Sequence, residues 1–234
     1  LREYDIRGIV GKNLTENTAY TIGRTFGHIL CENYSNKKIA LGYDGRLTSP
    51  SLHSALCLGL IETGAEIYSI GLCPTPMSYF AHYHLSTDAI IMVTGSHNPA
   101  EYNGFKIVLN KNSFFAEKIQ NLQKTISLIK DEKKEGKLFK VDIKNEYVNR
   151  NLENICLDKK IKIAWDIANG AMGSVIDQFT KKLPNAEHII INKEVDGNFP
   201  NHHPDPTVPK NMEQLIKVVL ENSCDIGLAF DGDG

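Results

Sequence analysis

The stretch D-A-I-I-M-V-T-G-S-H-N-P-A-E-Y-N-G-F-K-I-V-L, from Asp88 to Leu109, contains the pattern that decides the fold. Its beginning, Asp88–Val93, is an apolar, β-branched run of strand length, and its end, Phe105–Leu109, is another. Thr94–Gly104, between them, is rich in the turn-forming residues Gly, Asn and Pro, so it is predicted to be a loop. Because this connection is too short for a helical crossover, the two strands are predicted to pair antiparallel.

The loop carries one candidate nucleophile, Ser96, inside the hexapeptide T-G-S-H-N-P. A loop anchored by two strands would hold this hydroxyl at the mouth of a sheet, a common place for reactive side chains. The competing interpretation is a turn with an incidental serine and histidine. The neighbours Ser96 and His97 are weak evidence for a hydrolase, because adjacent side chains seldom face each other and no G-x-S-x-G motif is present.

Strands alternate with helices on both sides of this stretch, so an α/β fold is predicted, with a mixed sheet because of the antiparallel pair. Thr15 is predicted to cap a helix with a small Gly23/Gly27 face, and Ser49-Pro50 to start another. The remaining predicted elements before Cys156 are the helix Glu16–Asn33, the strands Lys38–Tyr43 and Glu66–Ile70, the helices Met77–His84 and Glu117–Lys134, and a linker plus helix over Lys140–Cys156.

A second α/β pattern begins with the strand Lys160–Trp165 and the loop Asp166–Gly173, followed by a helix to about Leu183. The order of strand, glycine loop and helix suits phosphate binding. Since the loop has neither G-x-G-x-x-G spacing nor a P-loop Lys, a structural turn is the preferred interpretation. The Pro-rich segment Asp196–Pro209 is predicted to be extended, and its His202 and His203 are not predicted to bind metal. A helix over Asn211–Asn222 and a buried strand over Asp225–Phe230 are predicted to follow.

That last strand leads into Asp231-Gly232-Asp233-Gly234. Two carboxylates separated by one glycine at the end of a strand can both turn toward one hard cation such as Mg²⁺, which prefers oxygen ligands. An incidental acidic turn is one alternative. Another is the aspartyl nucleophile of haloacid-dehalogenase-type phosphatases, although there the motif opens the domain and here it closes the chain.

Composition limits the possible functions and partners. The 234 residues are 41% apolar and carry a net charge of -2, so the chain can bury a core and offers no charged surface for nucleic acid or a membrane. No apolar run approaches the length of a membrane helix and no signal peptide precedes Leu1, so a cytoplasmic protein is expected. The five cysteines are expected to be reduced core residues. Arg7 is a candidate anion ligand, with a surface ion pair to Asp5 or Glu3 as the alternative.

Taken together, the motifs resemble the α-D-phosphohexomutase family, most closely its bacterial phosphomannomutase/phosphoglucomutase branch. The resemblance covers the whole chain in order, and the set of motifs is far more specific than any one of them. The matching pieces are Y-D-I-R-G (Tyr4–Gly8), G-Y-D-G-R (Gly42–Arg46), P-T-P (Pro74–Pro76), T-G-S-H-N-P (Thr94–Pro99), Y-N-G-F-K (Tyr102–Lys106), E-V-D-G-N-F-P-N-H-H-P-D-P (Glu194–Pro206) and L-A-F-D-G-D-G (Leu228–Gly234).

The resemblance implies a four-domain enzyme, of which this chain is expected to be a fragment: domain I over residues 1–141, with the phosphoserine loop, and a truncated domain II over 142–234, with the metal loop. It also implies that Ser96 carries a phosphoryl group and that Mg²⁺ is bound by Ser96, Asp231, Asp233 and a third aspartate beyond Gly234. The residues implied near the transferred group are Arg7, Lys106 and His97, with Tyr4 and Asn98 contacting substrate, while Arg46 is interpreted as structural.

The activity implied is exchange between hexose 1-phosphate and hexose 6-phosphate, of mannose or glucose, through a hexose 1,6-bisphosphate. The expected partners are therefore small sugar phosphates, without nucleic acid or membrane. Phosphoglucosamine mutases typically have a T-D-G-I-R-G element and alanine where Gly95 stands, so that activity is the closest alternative. The aspartyl phosphatase, and a fragment that binds sugar phosphate without turnover, also remain open. This chain alone is expected to be inactive.

Overall fold

The computed structural model describes residues 6–114 and 132–234. Tyr4 and nearly all of the helix predicted over Glu117–Lys134 lie outside these residues, so both stay predictions. Among the helices that are described, none is long and apolar enough to cross a membrane.

The first half of the chain forms a mixed α/β domain, and the Asp88–Leu109 stretch lies in its sheet. Its elements in chain order are β1 (Ile6–Ile9), α1 (Glu16–Asn33), β2 (Lys38–Tyr43), α2 (Ser49–Ile61), β3 (Glu66–Leu72), α3 (Thr75–His84), β4 (Ala89–Val93), β5 (Tyr102–Leu109), β6 (Asn112–Ser113) and β7 (Lys137–Lys140).

The strand order is β1-β5-β4-β2-β3-β7, with β6 paired to β5. As predicted, β4 and β5 are antiparallel, and β2 pairs parallel with both β3 and β4. The carboxyl ends of β2 and β4 therefore lie side by side. This arrangement places the turn after Tyr43 next to the loop after Val93.

The helices pack on both faces of this sheet because its central strands are apolar on both sides. In β4, Ile91 and Val93 belong to the core cluster under α1 and α2, whereas Ile90 and Met92 belong to the cluster under α3. The helices α1 and α2 touch closely, since a Cβ atom at Gly23 would lie only 2.4 Å from a backbone oxygen of α2.

Thr15 caps α1 as predicted. Its side chain accepts a hydrogen bond from the backbone N–H of Thr18, and the Thr18 hydroxyl accepts one from the Thr15 N–H. This reciprocal capping satisfies two backbone donors that the first turn would otherwise leave without partners, which fixes where the helix begins.

The second half of the chain forms a smaller sheet that shares a core with the first. The three strands are parallel in the order β10-β8-β9. Met77 and Ala81 of α3 lie in one apolar cluster with Ile163 and Trp165 of this sheet. Its elements are α4 (Lys144–Leu152), β8 (Ile161–Asp166), a 3-10 turn (Ala171–Ser174), α5 (Ile176–Lys182), β9 (Ala186–Ile191), a second 3-10 turn (Pro209–Met212), α6 (Glu213–Glu221) and β10 (Ile226–Ala229).

Two consecutive α/β domains with helices around mixed sheets are thus confirmed, although in the described residues antiparallel pairing is confined to the first sheet. The predicted loop Thr94–Gly104 is shorter than expected, because β5 begins at Tyr102. The strand predicted as buried over Asp225–Phe230 is wrong in its burial: β10 lies at a sheet edge and Ile226 is 44% exposed. The cysteine expectation is wrong for Cys156, which is exposed, while all five thiols are free.

Candidate active site

The side chain of Ser96 lies where the two halves of the chain meet. Its Oγ donates a hydrogen bond to Asp231 Oδ2 at 2.9 Å, across 135 positions of sequence. Ser96 is buried and has a left-handed backbone conformation, with φ of 51°. Its N–H donates to Thr94 Oγ1 at 2.8 Å, so the residue is held on its amino side by the loop itself.

The guanidinium of Arg46 anchors the backbone of the same loop. This side chain is 1% exposed and stands at the carboxyl end of β2, beside the end of β4. Such a planar cation with several donors suits a set of backbone oxygens. Its Nη2 donates to the carbonyls of Ser96 and Asn98, each at 2.7 Å, and its Nη1 donates to those of Pro99 at 2.7 Å and Tyr102 at 3.1 Å.

Asp44 is the counter-ion of Arg46 and is also 1% exposed. Its Oδ2 accepts from Arg46 Nε at 3.2 Å, from the Thr94 hydroxyl at 2.7 Å and from the Gly95 N–H at 3.2 Å. Its Oδ1 accepts from the Ser49 hydroxyl at 2.5 Å and from the Arg46 N–H at 3.1 Å. Burial raises the pKa of Asp44, and the guanidinium of Arg46 opposes that rise. Five donors face this carboxyl group, so the ionised form fits the site.

Gly95 is required by the closeness of Arg46. A Cβ atom there would lie 2.5 Å from both Cζ and Nε of the guanidinium and 2.8 Å from the carbonyl oxygen of Tyr102. A glycine in this position lets the loop rest on the arginine, and the sequence carries one.

The two aspartates of the D-G-D-G segment differ in their surroundings. Asp233 Oδ2 accepts from the Thr75 hydroxyl at 2.5 Å, from Lys106 Nζ at 2.6 Å and from Thr94 Oγ1 at 3.1 Å. Burial would raise the pKa of Asp233, but the charge and hydrogen bond of Lys106 outweigh it and lower the pKa. Burial, and then the charge of Asp233, raise the pKa of Asp231 to about 6, against the hydrogen bond from Ser96.

This donor set is compatible with a hard divalent cation. Two carboxylates and a serine hydroxyl are oxygen donors of the kind that such a cation prefers. Burial first, and then the neighbouring charge of Asp233, raise the pKa of Asp231, and a bound cation would favour its ionised form. Among the described residues no group of three or more His, Cys, Asp or Glu side chains is placed to hold a metal. Asp231 and Asp233 are the two carboxylates of this donor set.

The structure brings most of the predicted site residues together. Ser96 is bonded directly to Asp231, and the Thr94 hydroxyl connects it to Asp233, which in turn accepts from Lys106. His97 Nδ1 lies 3.4 Å from Ser96 Oγ.

Two further predicted residues flank this group. The Asn98 amide donates to the Gly95 carbonyl at 2.9 Å, so it braces the loop. Arg7 lies in β1, opposite Gly104 of β5. Burial is the largest cause that lowers the pKa of Arg46, and the positive charge of Arg7 lowers it further.

Sequence reasoning gave no role to Asp44 or Thr75, and it interpreted Arg46 as structural without identifying the loop that Arg46 holds. The available signal was positional: the charged G-Y-D-G-R motif ends one parallel strand and T-G-S-H-N-P ends its neighbour, so both turns meet at one sheet edge. The reach of Arg46 to four carbonyls of another loop leaves no trace in a local motif.

Hydrogen bonds within the protein hold the glycine loop Asp166–Gly173, which agrees with its interpretation as a structural turn. Asp166 is fully buried, and its carboxylate contacts the Ala168 N–H at 3.0 Å, Asn192 Nδ2 at 2.9 Å and His202 Nε2 at 2.9 Å. His202 thus fastens the Pro-rich segment to this loop. From the same segment, the ring of Phe199 packs 5.3 Å from the Arg46 guanidinium, so the second domain supports the Ser96 loop as well.

Comparisons with known proteins match the chain to one family over its whole length. Residues 1–134 match the family described as phosphoglucomutase/phosphomannomutase, alpha/beta/alpha domain I, and residues 143–234 match its domain II. A phosphomannomutase/phosphoglucomutase of Pseudomonas putida is 44% identical over 100% of this chain and 50% of its own length. A phosphoglucomutase of Neisseria meningitidis is 42% identical over 99% of this chain and 50% of its own length.

The fold agrees with solved structures too. A phosphoglucomutase/phosphomannomutase family protein from Burkholderia thailandensis superimposes with a TM-score of 0.92 at 38% identity, covering 100% of this chain and 52% of that one. The chain spans about half the length of the curated relatives it matches.

Proposed function

The chain belongs to the phosphoglucomutase/phosphomannomutase family, and from that premise we propose that it supplies the phosphoryl-carrying half of a phosphohexomutase. In this proposal Ser96 holds a phosphoryl group and exchanges it with a hexose 1-phosphate or 6-phosphate. The single observation that carries the proposal is the 2.9 Å hydrogen bond from Ser96 Oγ to Asp231 Oδ2. It joins a hydroxyl and a carboxylate pair that lie on loops of different domains.

The exchange would proceed in two steps that use the same atoms. The free hydroxyl of the hexose phosphate loses its proton and attacks the phosphorus on Ser96, the P–Oγ bond breaks, Oγ takes up a proton, and a hexose 1,6-bisphosphate forms. After the sugar turns over, Ser96 Oγ loses its proton and attacks the other phosphorus. The bond from that phosphorus to the sugar oxygen breaks, the sugar oxygen takes up a proton, and the product leaves with Ser96 phosphorylated again. When Oγ is free its proton lies toward Asp231, which is where the structure has the hydrogen bond.

Lys106 would contribute positive charge to phosphoryl transfer, and His97 would be a polar neighbour of the nucleophile. Lys106 carries an ammonium within 2.6 Å of Asp233 and His97 lies beside Ser96 Oγ, so both would face charge developing on the transferred group. Arg7 enters the proposal as a further anion ligand. Substrate contacts by Asn98 and Tyr4 remain part of it.

Ser96, Asp231 and Asp233 would hold Mg²⁺. A magnesium ion bound there would neutralise charge on the phosphoryl oxygens and make serine an adequate leaving group. Hexose 1,6-bisphosphate is proposed both as intermediate and as the compound that loads Ser96.

Mannose and glucose phosphates are the proposed substrates, acting in the cytoplasm, and phosphoglucosamine is the alternative sugar. Gly95 favours the first assignment, because phosphoglucosamine mutases typically have alanine in this place. The expectation that this chain is inactive without further domains also stays a prediction.

Intact-protein mass spectrometry of the complete protein, with and without hexose 1,6-bisphosphate, tests the proposal. We expect a mass gain of one phosphoryl group that peptide mapping assigns to Ser96. Ser96→Ala should lose both the label and the conversion of glucose 1-phosphate and mannose 1-phosphate. Ser51→Ala, an exposed serine at the surface of α2, is the matched control and should keep both.

The outcome also separates the competing enzyme class. If turnover survives Ser96→Ala and is lost with Asp231→Asn, Asp231 is the nucleophile and the mutase proposal is wrong. If glucosamine phosphates are converted faster than mannose or glucose phosphates, the reaction class stands and the sugar assignment fails.

A further inference from the structure

Arg46 contacts the Ser96 loop through both terminal nitrogens of its guanidinium. Its two terminal nitrogens reach four carbonyl oxygens at 2.7 to 3.1 Å, three in the Ser96 loop and one at Tyr102, the first residue of β5, and its Nε reaches Asp44. One of those carbonyls belongs to Ser96 itself. The guanidinium therefore binds the backbone of the residue whose hydroxyl the proposed function uses.

We propose that Arg46 is a positioning residue for phosphoryl transfer, which holds Ser96 in its left-handed conformation with Oγ directed at Asp231. The inference rests on the proposed function, and it adds a residue that touches neither the sugar nor the phosphoryl group. It assigns to Arg46 the geometry of the nucleophile, in addition to the stability of the loop.

The left-handed conformation of Ser96 requires external support. Residues other than glycine, asparagine and aspartate seldom adopt this backbone conformation, because their Cβ atom crowds the backbone. Two contacts supply that support: the Ser96 N–H binds Thr94 Oγ1, and the Ser96 carbonyl binds Arg46 Nη2. With both peptide groups fixed, the direction of the Cα–Cβ bond is fixed as well.

The shape of the guanidinium is essential to this arrangement. Nη1 and Nη2 serve different ends of the loop, one at Pro99 and Tyr102 and the other at Ser96 and Asn98. A lysine ammonium is a single point with three donors and cannot span both ends. Retention of charge alone should therefore not replace Arg46.

Both domains hold Arg46 in place, which couples the position of the nucleophile to that of the carboxylates. Asp44 binds it from the first domain, and the Phe199 ring lies 5.3 Å from its Cζ from the second. A Cβ atom at Gly197 would lie 2.7 Å from the Arg46 Cα, so the Pro-rich segment lies directly against this residue.

The test is chemical rescue in the complete protein. Loading of Ser96 from hexose 1,6-bisphosphate is followed by intact mass in single-turnover reactions, for wild type, Arg46→Ala and Arg46→Lys. A misplacement of about 1 Å in a reacting group reduces rates by about 100-fold, so both variants should load Ser96 about that much more slowly, with little change in the concentration dependence. Guanidinium at tens of millimolar should restore Arg46→Ala at least about tenfold. Urea, which is neutral and has the same shape, should not.

Arg24→Ala is the matched control, because Arg24 is another buried arginine, located on α1 and bonded to the Glu62 carbonyl. It should lower stability without slowing the loading of Ser96 and without responding to guanidinium. Loading within about threefold of wild type in folded Arg46→Ala or in Arg46→Lys overturns the proposal, as does rescue by urea equal to rescue by guanidinium. If Arg46→Ala does not fold, Arg46→Lys decides alone.

Hydrogen exchange separates this inference from the proposed function. If wild-type protein never loads Ser96, the proposed function fails. The Arg46 proposal is then judged by the backbone amides of residues 95–98, which should exchange at least about tenfold faster in Arg46→Lys and not in Arg24→Ala. Unchanged exchange at these amides overturns the proposal by itself.

Discussion

Replacing Asp44 with asparagine should destabilise the protein far more than its small change in shape suggests. Asp44 and Arg46 form an ion pair in which each residue is 1% exposed, with Nε and Oδ2 3.2 Å apart. Asparagine removes the negative charge and leaves the guanidinium buried without its counter-ion. Its amide group also places N–H donors where Asp44 accepts hydrogen bonds from Thr94, Gly95 or Ser49.

The magnitude follows from the loss of one partner of a buried pair, which costs about 3–5 kcal/mol of the free energy of unfolding. For a domain of this size, each kcal/mol corresponds to a fall in Tm of about 2–4 °C. Asp44→Asn should therefore lower Tm by about 8–16 °C when about 4 kcal/mol is lost. Differential scanning calorimetry and urea unfolding at neutral pH measure the change.

Asp177→Asn is the matched control, because Asp177 pairs with Lys193 at 2.7 Å while its side chain is 50% exposed. A surface pair contributes at most about 1 kcal/mol, so Tm should fall by no more than about 4 °C. Equal small losses for the two variants would refute the reasoning, since Asp44 would then not be an ionised partner of Arg46.

Three further outcomes are expected. Gly95→Ala should cost about 1–3 kcal/mol by forcing the Arg46 guanidinium, 2.5 Å from the new Cβ, out of place, and a wild-type melting curve would contradict this. Asp231→Asn should weaken Mg²⁺ binding at least about tenfold, because one of two carboxylates is lost; calorimetric titration measures it, and unchanged affinity would oppose the metal assignment. Burial lowers the pKa of His53 to about 4, so the unfolded chain binds a proton in the window below about pH 6.5 that the folded protein does not. Stability should then fall by about 2 kcal/mol between pH 7.5 and pH 5, and by measurably less in His53→Gln, as urea unfolding at both pH values can establish; equal pH dependence would disprove the assignment.

The sequence predicts well those parts of the fold that depend on neighbouring residues, such as helix caps and short connections. The start of α1 follows from the Thr15 cap, and the antiparallel pairing of β4 and β5 follows from a connection too short for a helix. By contrast, β9 was not predicted. Its sequence A-E-H-I-I-I has a short apolar run without alternation, and its pairing partner β8 lies more than twenty residues earlier.

The candidate site was predictable only where motifs matched the family. The convergence of Ser96 with Asp231 and Asp233 was expected from the resemblance, and the structure has these residues within hydrogen-bonding reach of one another or of shared partners. Arg46 was interpreted as structural, but its partners were not predicted, because its acceptors are backbone carbonyls. Every residue offers one, so no sequence pattern marks those that a distant side chain will bind.

The hydrogen bond between Ser96 and Asp231 also sets an order of events during synthesis. Its partners are separated by 135 residues, and the bond from Thr75 to Asp233 spans 158. While the nascent chain leaves the ribosome, the Ser96 loop is therefore synthesised well before the carboxylate that it binds. At elongation rates of about 5–20 residues per second, that interval is on the order of ten seconds, during which a chaperone has access to the Ser96 loop.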